Sequence, residues 1–163
     1  MLRILRHLLT PFWVLRLRYR PELLKLIADR IGVIERRHPG EVRLAIEHAL
    51  ELGDLLSGLT PRERALEVFG LLRVWDTEHN NGVLIYVLEA EHAVEIVADR
   101  GLARAVPQSE WDDLCRQVET EFRAGRHGDG AMKAVNGAAA LLERYFAVRT
   151  ESRNELPDQP LLL

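Results

Sequence analysis

The sequence predicts an α/β domain in which a short mixed sheet, two strands parallel and a third antiparallel, lies between helices on both faces. Three observations predict it: an alternating apolar segment at residues 41–47, a continuous apolar run at 83–88, and a second alternating segment at 93–98. A strong helix start lies between the first two. Strand, crossover helix and second strand make a βαβ unit, whose right-handed parallel form is heavily preferred. The link at residues 89–92 is too short for a crossover, so the third strand returns antiparallel. At 163 residues one domain is expected, burying about two thirds of its unfolded surface.

In chain order, residues 1–20 form a basic arm. Leu2, Leu5, Leu8 and Leu9 share a helical face opposite Arg3, Arg6 and His7, and Phe12 and Trp13 follow. Two placements suit it: a helix in a membrane interface, or the same leucines packed on the body's own helices, with an extended segment where Arg16, Arg18 and Arg20 alternate with Leu15, Leu17 and Tyr19. The body starts at Pro21, where Leu23, Leu24, Ile27, Ile31 and Ile34 recur at helical spacing to about Arg37 and proline suits the first turn. His38-Pro39-Gly40 breaks that helix. Val42, Leu44 and Ile46 then alternate with polar neighbours, as in a strand with one well-buried face.

Thr60-Pro61-Arg62-Glu63 combines an N-cap, a first-position proline and a capping box, starting a helix that runs to about Trp75. Residues 76–82 form a polar turn. Residues 83–88 suit a central strand buried on both faces. Ser109 with Asp112 gives another capping-box pattern for a helix whose Trp111, Leu114, Cys115, Val118 and Phe122 share a face and which ends near Gly125. Residues 126–130 read as a loop. A last helix carries Met132, Val135, Ala139, Leu142 and Phe146, and residues 147–163, with Pro157 and Pro160, read as a flexible tail.

Composition narrows function. The chain is 47% hydrophobic and 29% charged, ordinary for a globular protein. Its one cysteine, Cys115, cannot pair within the chain, which points to the reducing cytoplasm. Placed on an apolar helix face, that thiol reads as structural rather than nucleophilic. The first twenty residues hold five arginines and no acid, so against an overall net charge of −3 the remainder carries −8. An acidic body argues against nucleic acid as a partner. The basic arm suits an anionic surface, giving a cytoplasmic protein seated peripherally on the inner membrane.

No P-loop, serine elbow, paired-cysteine knuckle or two-histidine metalloprotease helix occurs. Glu89, Glu91 and His92 have metal-ligand chemistry but read as a solvated hairpin turn. Antiparallel pairing sets the start of the central strand beside the end of its partner. Asp76, His79, Asn80 and Asn81 thus approach Asp99, Arg100 and Gly101, and the glycine-flanked Asp129 is expected nearby.

Asn80-Asn81-Gly82-Val83-Leu84 resembles the Asp/Asn-Asn-Gly-Val-Leu signature of the TPM domain, whose members include thylakoid-lumen, photosystem II repair and receptor-modulator proteins. Gly101-Leu102 matches the end of that family's Gly-Tyr-Gly-Leu turn, and Phe122-Arg123-Ala124-Gly125 with the following glycine loop matches its later helix junction. The resemblance spans roughly residues 22 to 146 and marks the chain as similar to small bacterial members. It implies a Rossmann-like three-layer sandwich and a weak calcium or magnesium site, which here would draw on Asp76, Asn80, Asn81, Asp99 and Asp129. Asp99 and Arg100 stand where the family has Gly and Tyr, and Asn80 where aspartate is common, so the site is poor in carboxylate and correspondingly weak.

The resemblance also implies function: a non-enzymatic regulatory or quality-control binding module that docks on membrane-associated proteins of the LemA type. The alternative is a metal-dependent phosphatase-like hydrolase. The module is favoured, because phosphoryl transfer needs a metal and a positioned nucleophile near cationic groups, and Arg100 is the one cation these loops offer.

Overall fold

A computed structural model describes residues 2–38, 40–146 and 154–163. Two short helices, α1 (Leu2–Leu8) and α2 (Trp13–Arg18), precede α3 (Pro21–Glu35). Then come β1 (Glu41–Glu47), α4 (Leu52–Ser57), α5 (Pro61–Leu71), β2 (Gly82–Leu88), a 3₁₀ turn (Glu89–Glu91) and β3 (Ala93–Ala98). Helices α6 (Arg100–Ala103), α7 (Gln108–Arg123) and α8 (His127–Tyr145) follow, and β4 (Leu161–Leu162) completes the sheet.

The sheet order is β3-β2-β1-β4. β1 and β2 run parallel, from Glu41 opposite Gly82 to Glu47 opposite Leu88. β3 returns antiparallel, with Val83 opposite Ala98. The βαβ reading therefore holds. Every residue of β2 is buried, as an apolar run between two helical layers requires. Val83, Ile85 and Val87 join Val42, Leu44 and Ile46 beneath α3, α7 and α8. Leu84, Tyr86 and Leu88 face the other way, against Ala65 and Val68 of α5.

The sheet has a fourth strand where three were expected. β4 lies parallel to β1, pairing Leu161 with Ala45 and Leu162 with Ile46. Its approach is secured from the side: the Glu41 carboxylate accepts from the amides of Glu155 and Leu156 at 3.1 and 3.0 Å, and the Arg43 guanidinium donates to the carbonyls of Pro157 and Gln159. The prolines that suggested a flexible tail stiffen this approach, and residues 154–163 belong to the body. Residues 147–153 of the expected tail, and Pro39 of the expected helix break, lie outside the described residues.

Helix boundaries follow local chemistry. Thr60 and Glu63 form the complete capping box, worth about 1 kcal/mol. α5 stops at Leu71 rather than Trp75 because Arg73 turns into the left-handed region at φ 52°. The turn tucks Val74 against Gly82, where any Cβ would meet the Val74 carbonyl. The box expected at Ser109 and Asp112 does not form; α7 begins earlier, after Pro107, and Gln108 donates to Asp112 instead. Residues 127–130 are the first turn of α8, with Arg126 at the N-cap position, rather than a loop, because Gly125 at φ 76° completes the change of direction.

The arm packs on the body as two helices, and its residues 15–18 are helical rather than extended. Leu15 and Tyr19 are fully buried. The α1 and α2 leucines at positions 2, 5, 8, 9 and 17 remain exposed, so polar groups rather than the leucine face hold α1 in place. Among the described residues no helix is long and apolar enough to cross a membrane.

Candidate functional site

The loops at the start of β2 and the end of β3 meet, as pairing demands. The Asp99 amide donates to the Gly82 carbonyl and the Gly101 amide to the Asn80 carbonyl, at 2.8 and 2.9 Å. Gly101 is needed there, since a Cβ would press on the Asn80 and His79 carbonyls. Asn80 takes the left-handed conformation, φ 53°, which asparagine tolerates. Its Oδ1 accepts from Arg100 Nε at 2.7 Å. Buried Asn81 donates its amide to Thr77 Oγ1 at 3.0 Å. Asp99 Oδ1 caps α6 through the Arg100 amide at 2.7 Å, and its buried Oδ2 has no hydrogen-bond partner among the described residues.

The other two expected ligands stand apart. Asp76 is exposed and lies 3.9 Å from Arg73. Asp129 sits in the first turn of α8, beside a neighbour of Glu89 at the far end of β2, a strand length of about 20 Å away. The expected nearness of Asp129 fails because α8 begins at the opposite end of the sheet. Among the described residues no three His, Cys, Asp or Glu side chains are placed to share an ion. One buried carboxylate beside a guanidinium does not fit the oxygen-rich cage that calcium or magnesium prefers.

The chemistry gathers instead at the carboxyl ends of β1 and β2, where open α/β sheets characteristically bind ligands. Glu89 follows β2 directly and is 1% exposed, so it is not part of a solvated hairpin turn. Its Oε2 lies 2.6 Å from Arg18 NH1 and 3.0 Å from His127 Nδ1, while Oε1 accepts from the Tyr19 hydroxyl. Burial alone would raise this carboxyl; hydrogen bonds from His127 and Tyr19 and the charges of His127 and Arg18 hold it below the usual range. The same burial, with Glu89 opposite, pushes the Tyr19 phenol well up and keeps it a donor.

Glu91 fastens α1. Its Oε1 lies 2.8 Å from Arg3 Nε and 2.9 Å from His7 Nε2. Buried His7 also meets the Leu50 amide at Nδ1, 2.9 Å away. An amide can only donate, so Nδ1 is the acceptor, Nε2 carries the proton, and the ring is neutral. Arg3 adds a bond to the Leu59 carbonyl at 2.6 Å. On the sheet's other face Glu47 receives Arg64 in a fork at 2.8 and 3.0 Å, and the Tyr86 hydroxyl at 2.5 Å.

At the opposite end Glu35, 3% exposed, accepts from the Val42 amide at 2.8 Å. Burial pushes its carboxyl up to about 9 against that bond, helped by Glu41 and Asp158. Cys115 is half-buried, and burial followed by the charge of Glu95 pushes its thiol up to about 12. It is a poor nucleophile, as the sequence indicated. Arg18, Tyr19 and His127 do not stand out as site residues in the sequence, and Glu89 reads there as part of a solvated turn. The available signal was an acid-free arm beside an acidic body.

Fold and site together define a Rossmann-like α/β domain whose polar chemistry lies at the carboxyl ends of its parallel strands, beneath a basic arm. The family model of the TPM domain matches residues 22–141, and the chain belongs to the TPM domain family. Among solved structures it is similar to the BA42 protein of the psychrophilic bacterium Bizionia argentinensis, at 28% identity and TM-score 0.76, over 87% of this chain and 93% of that one. The N-terminal domain of a P. gingivalis protein shares the fold at 17% identity and TM-score 0.64, over 77% of each chain. No match is found among curated proteins.

Proposed function

We propose that the chain is a non-enzymatic binding module that works at a membrane surface, seated through its arm and docking on a membrane-associated protein. The observation that carries this reading is the state of the arm. It is anchored by buried polar contacts, yet Leu8, Leu9 and Trp13 are 69, 71 and 60% exposed. Arg6, Arg16 and Arg20 are exposed among them, and Arg16 lies over the Phe12 ring at 5.5 Å. Apolar side chains held outward among arginines suit an anionic bilayer: tryptophan favours the headgroup region, and each basic side chain near the surface contributes about 1 kcal/mol. The family's association with LemA-type membrane proteins supplies the partner class. The hydrolase alternative is less favoured, because Asn80 Oδ1 and Asp99 Oδ1 serve Arg100 and the α6 cap.

Sedimentation of the full chain with anionic vesicles tests the reading. The wild type is expected to sediment at low salt and to be released by high salt. A Leu8→Ser, Trp13→Ala variant is expected to stay in the supernatant with unchanged thermal unfolding. Wild-type protein that never sediments would refute it.

A further inference from the structure

A cleft of about 440 Å³ opens between arm and body, bounded by Arg6 and Thr10 of the arm, Arg18 at its root, and Glu89, His92 and Arg123 of the body. Its charges do not cancel evenly. Glu89 is served by Arg18, Tyr19 and His127, and Glu91 by Arg3 and His7. The Arg6 side chain makes no hydrogen bond or ion pair among the described residues, and Arg123 gives one N–H to Glu119 at 2.7 Å, leaving four donors. Burial holds the His92 ring below its ordinary value, so it adds a neutral polar edge. Guanidinium forks match the oxygens of a phosphate, and a monoester, with three free oxygens and close to two charges, can meet several at once.

The cleft's position decides the source. Leu9, one of the outward leucines, also lines it, so the cleft opens beside the apolar row. We infer that this cleft binds a phosphate monoester presented by a lipid headgroup, an inference that rests on the membrane reading above. The seated arm brings the cleft to headgroup depth, where Arg6 and Arg123 close on the phosphate from opposite sides.

The test compares vesicles of matched surface charge containing either phosphatidic acid, a monoester, or phosphatidylglycerol, a diester. The full-length wild type is expected to favour the monoester about fivefold to tenfold, the value of one added charge-assisted contact. Arg6→Ala with Arg123→Ala should abolish that preference. Arg16→Ala with Arg20→Ala, removing equal charge elsewhere, should weaken both lipids alike and keep it. Equal wild-type partition, or equal effects of the two pairs, overturns the inference. Should no vesicle bind, the membrane reading fails by itself. Amide shifts with glycerol 3-phosphate then decide the cleft: changes at His92 and Arg123, lost in the Arg6, Arg123 pair, preserve a free-phosphate site, and their absence overturns it.

Discussion

Glu35 and Glu89 are equally hidden from solvent, at 3 and 1% exposure, yet their carboxyls move in opposite directions. Glu89 has Arg18, His127 and Tyr19 as donors and is held low; Glu35 has one backbone amide and acidic neighbours and is pushed up to about 9. Burial sets the cost of a charge, and the partners decide whether the charge survives. One end of the sheet therefore holds an ionised carboxylate as a clamp. The other holds a neutral acid.

The largest expected effect comes from breaking the clamp. Glu89→Gln leaves Arg18 without its counter-charge, and removing one member of a buried pair typically costs about 3 to 5 kcal/mol. Urea unfolding at pH 7 should show a loss near 3 kcal/mol; a loss below 1 would break the comparison.

The second effect has the opposite sign. The folded Glu35 carboxyl lies above its unfolded value of 4.5, so between those values the native state holds a proton that the unfolded state has released. Its contribution is fully present below about 4.5 and is lost as pH rises towards about 9. Glu35→Gln mimics the neutral acid, and should raise stability at pH 7 by about 2 kcal/mol and flatten the alkaline limb of the profile. Glu89, held low, behaves in reverse: its contribution is present above the ordinary carboxylate value and is lost as pH falls through its folded one. Tyr19→Phe removes one of its donors. A cost of about 1.5 kcal/mol is expected, with the acid transition moved to higher pH, measured by fluorescence against pH.

The smallest effect concerns the loops beside β2. Millimolar calcium should leave the amide shifts at Asn81, Asp99 and Asp129 alike unmoved, and add less than about 0.5 kcal/mol of stability. A shift at Asp129 matching that at Asp99 would rejoin what the fold separates.

The strands were legible because each is apolar at its own period: Val42, Leu44 and Ile46 at two, residues 83–88 continuously. The meeting of Asn80 with Gly101 followed from pairing alone. Residues 161–163 escaped because a two-residue parallel strand has no period to read. Asp129 was misplaced because spacing says nothing of which end of a sheet a helix begins at. Glu89 was hidden by its own polarity: a buried glutamate resembles a surface one until Arg18, Tyr19 and His127, far off in sequence, are brought to it. The arm does pack on the body, but through Arg3 and His7 on Glu91 rather than through its leucines, which stay exposed.

The side-on fastening of the C-terminal residues has a consequence for solubility. β1 carries Val42, Leu44, Ala45 and Ile46 and would otherwise end the sheet as a bare row of amides and carbonyls, the template on which chains stack into aggregates. β4 covers that row for two residues, and the Glu41 and Arg43 side chains draw the preceding backbone across the remainder. The last ten residues act as a selvedge: cut away, they would leave the fold's most apolar edge free to knit with its neighbours.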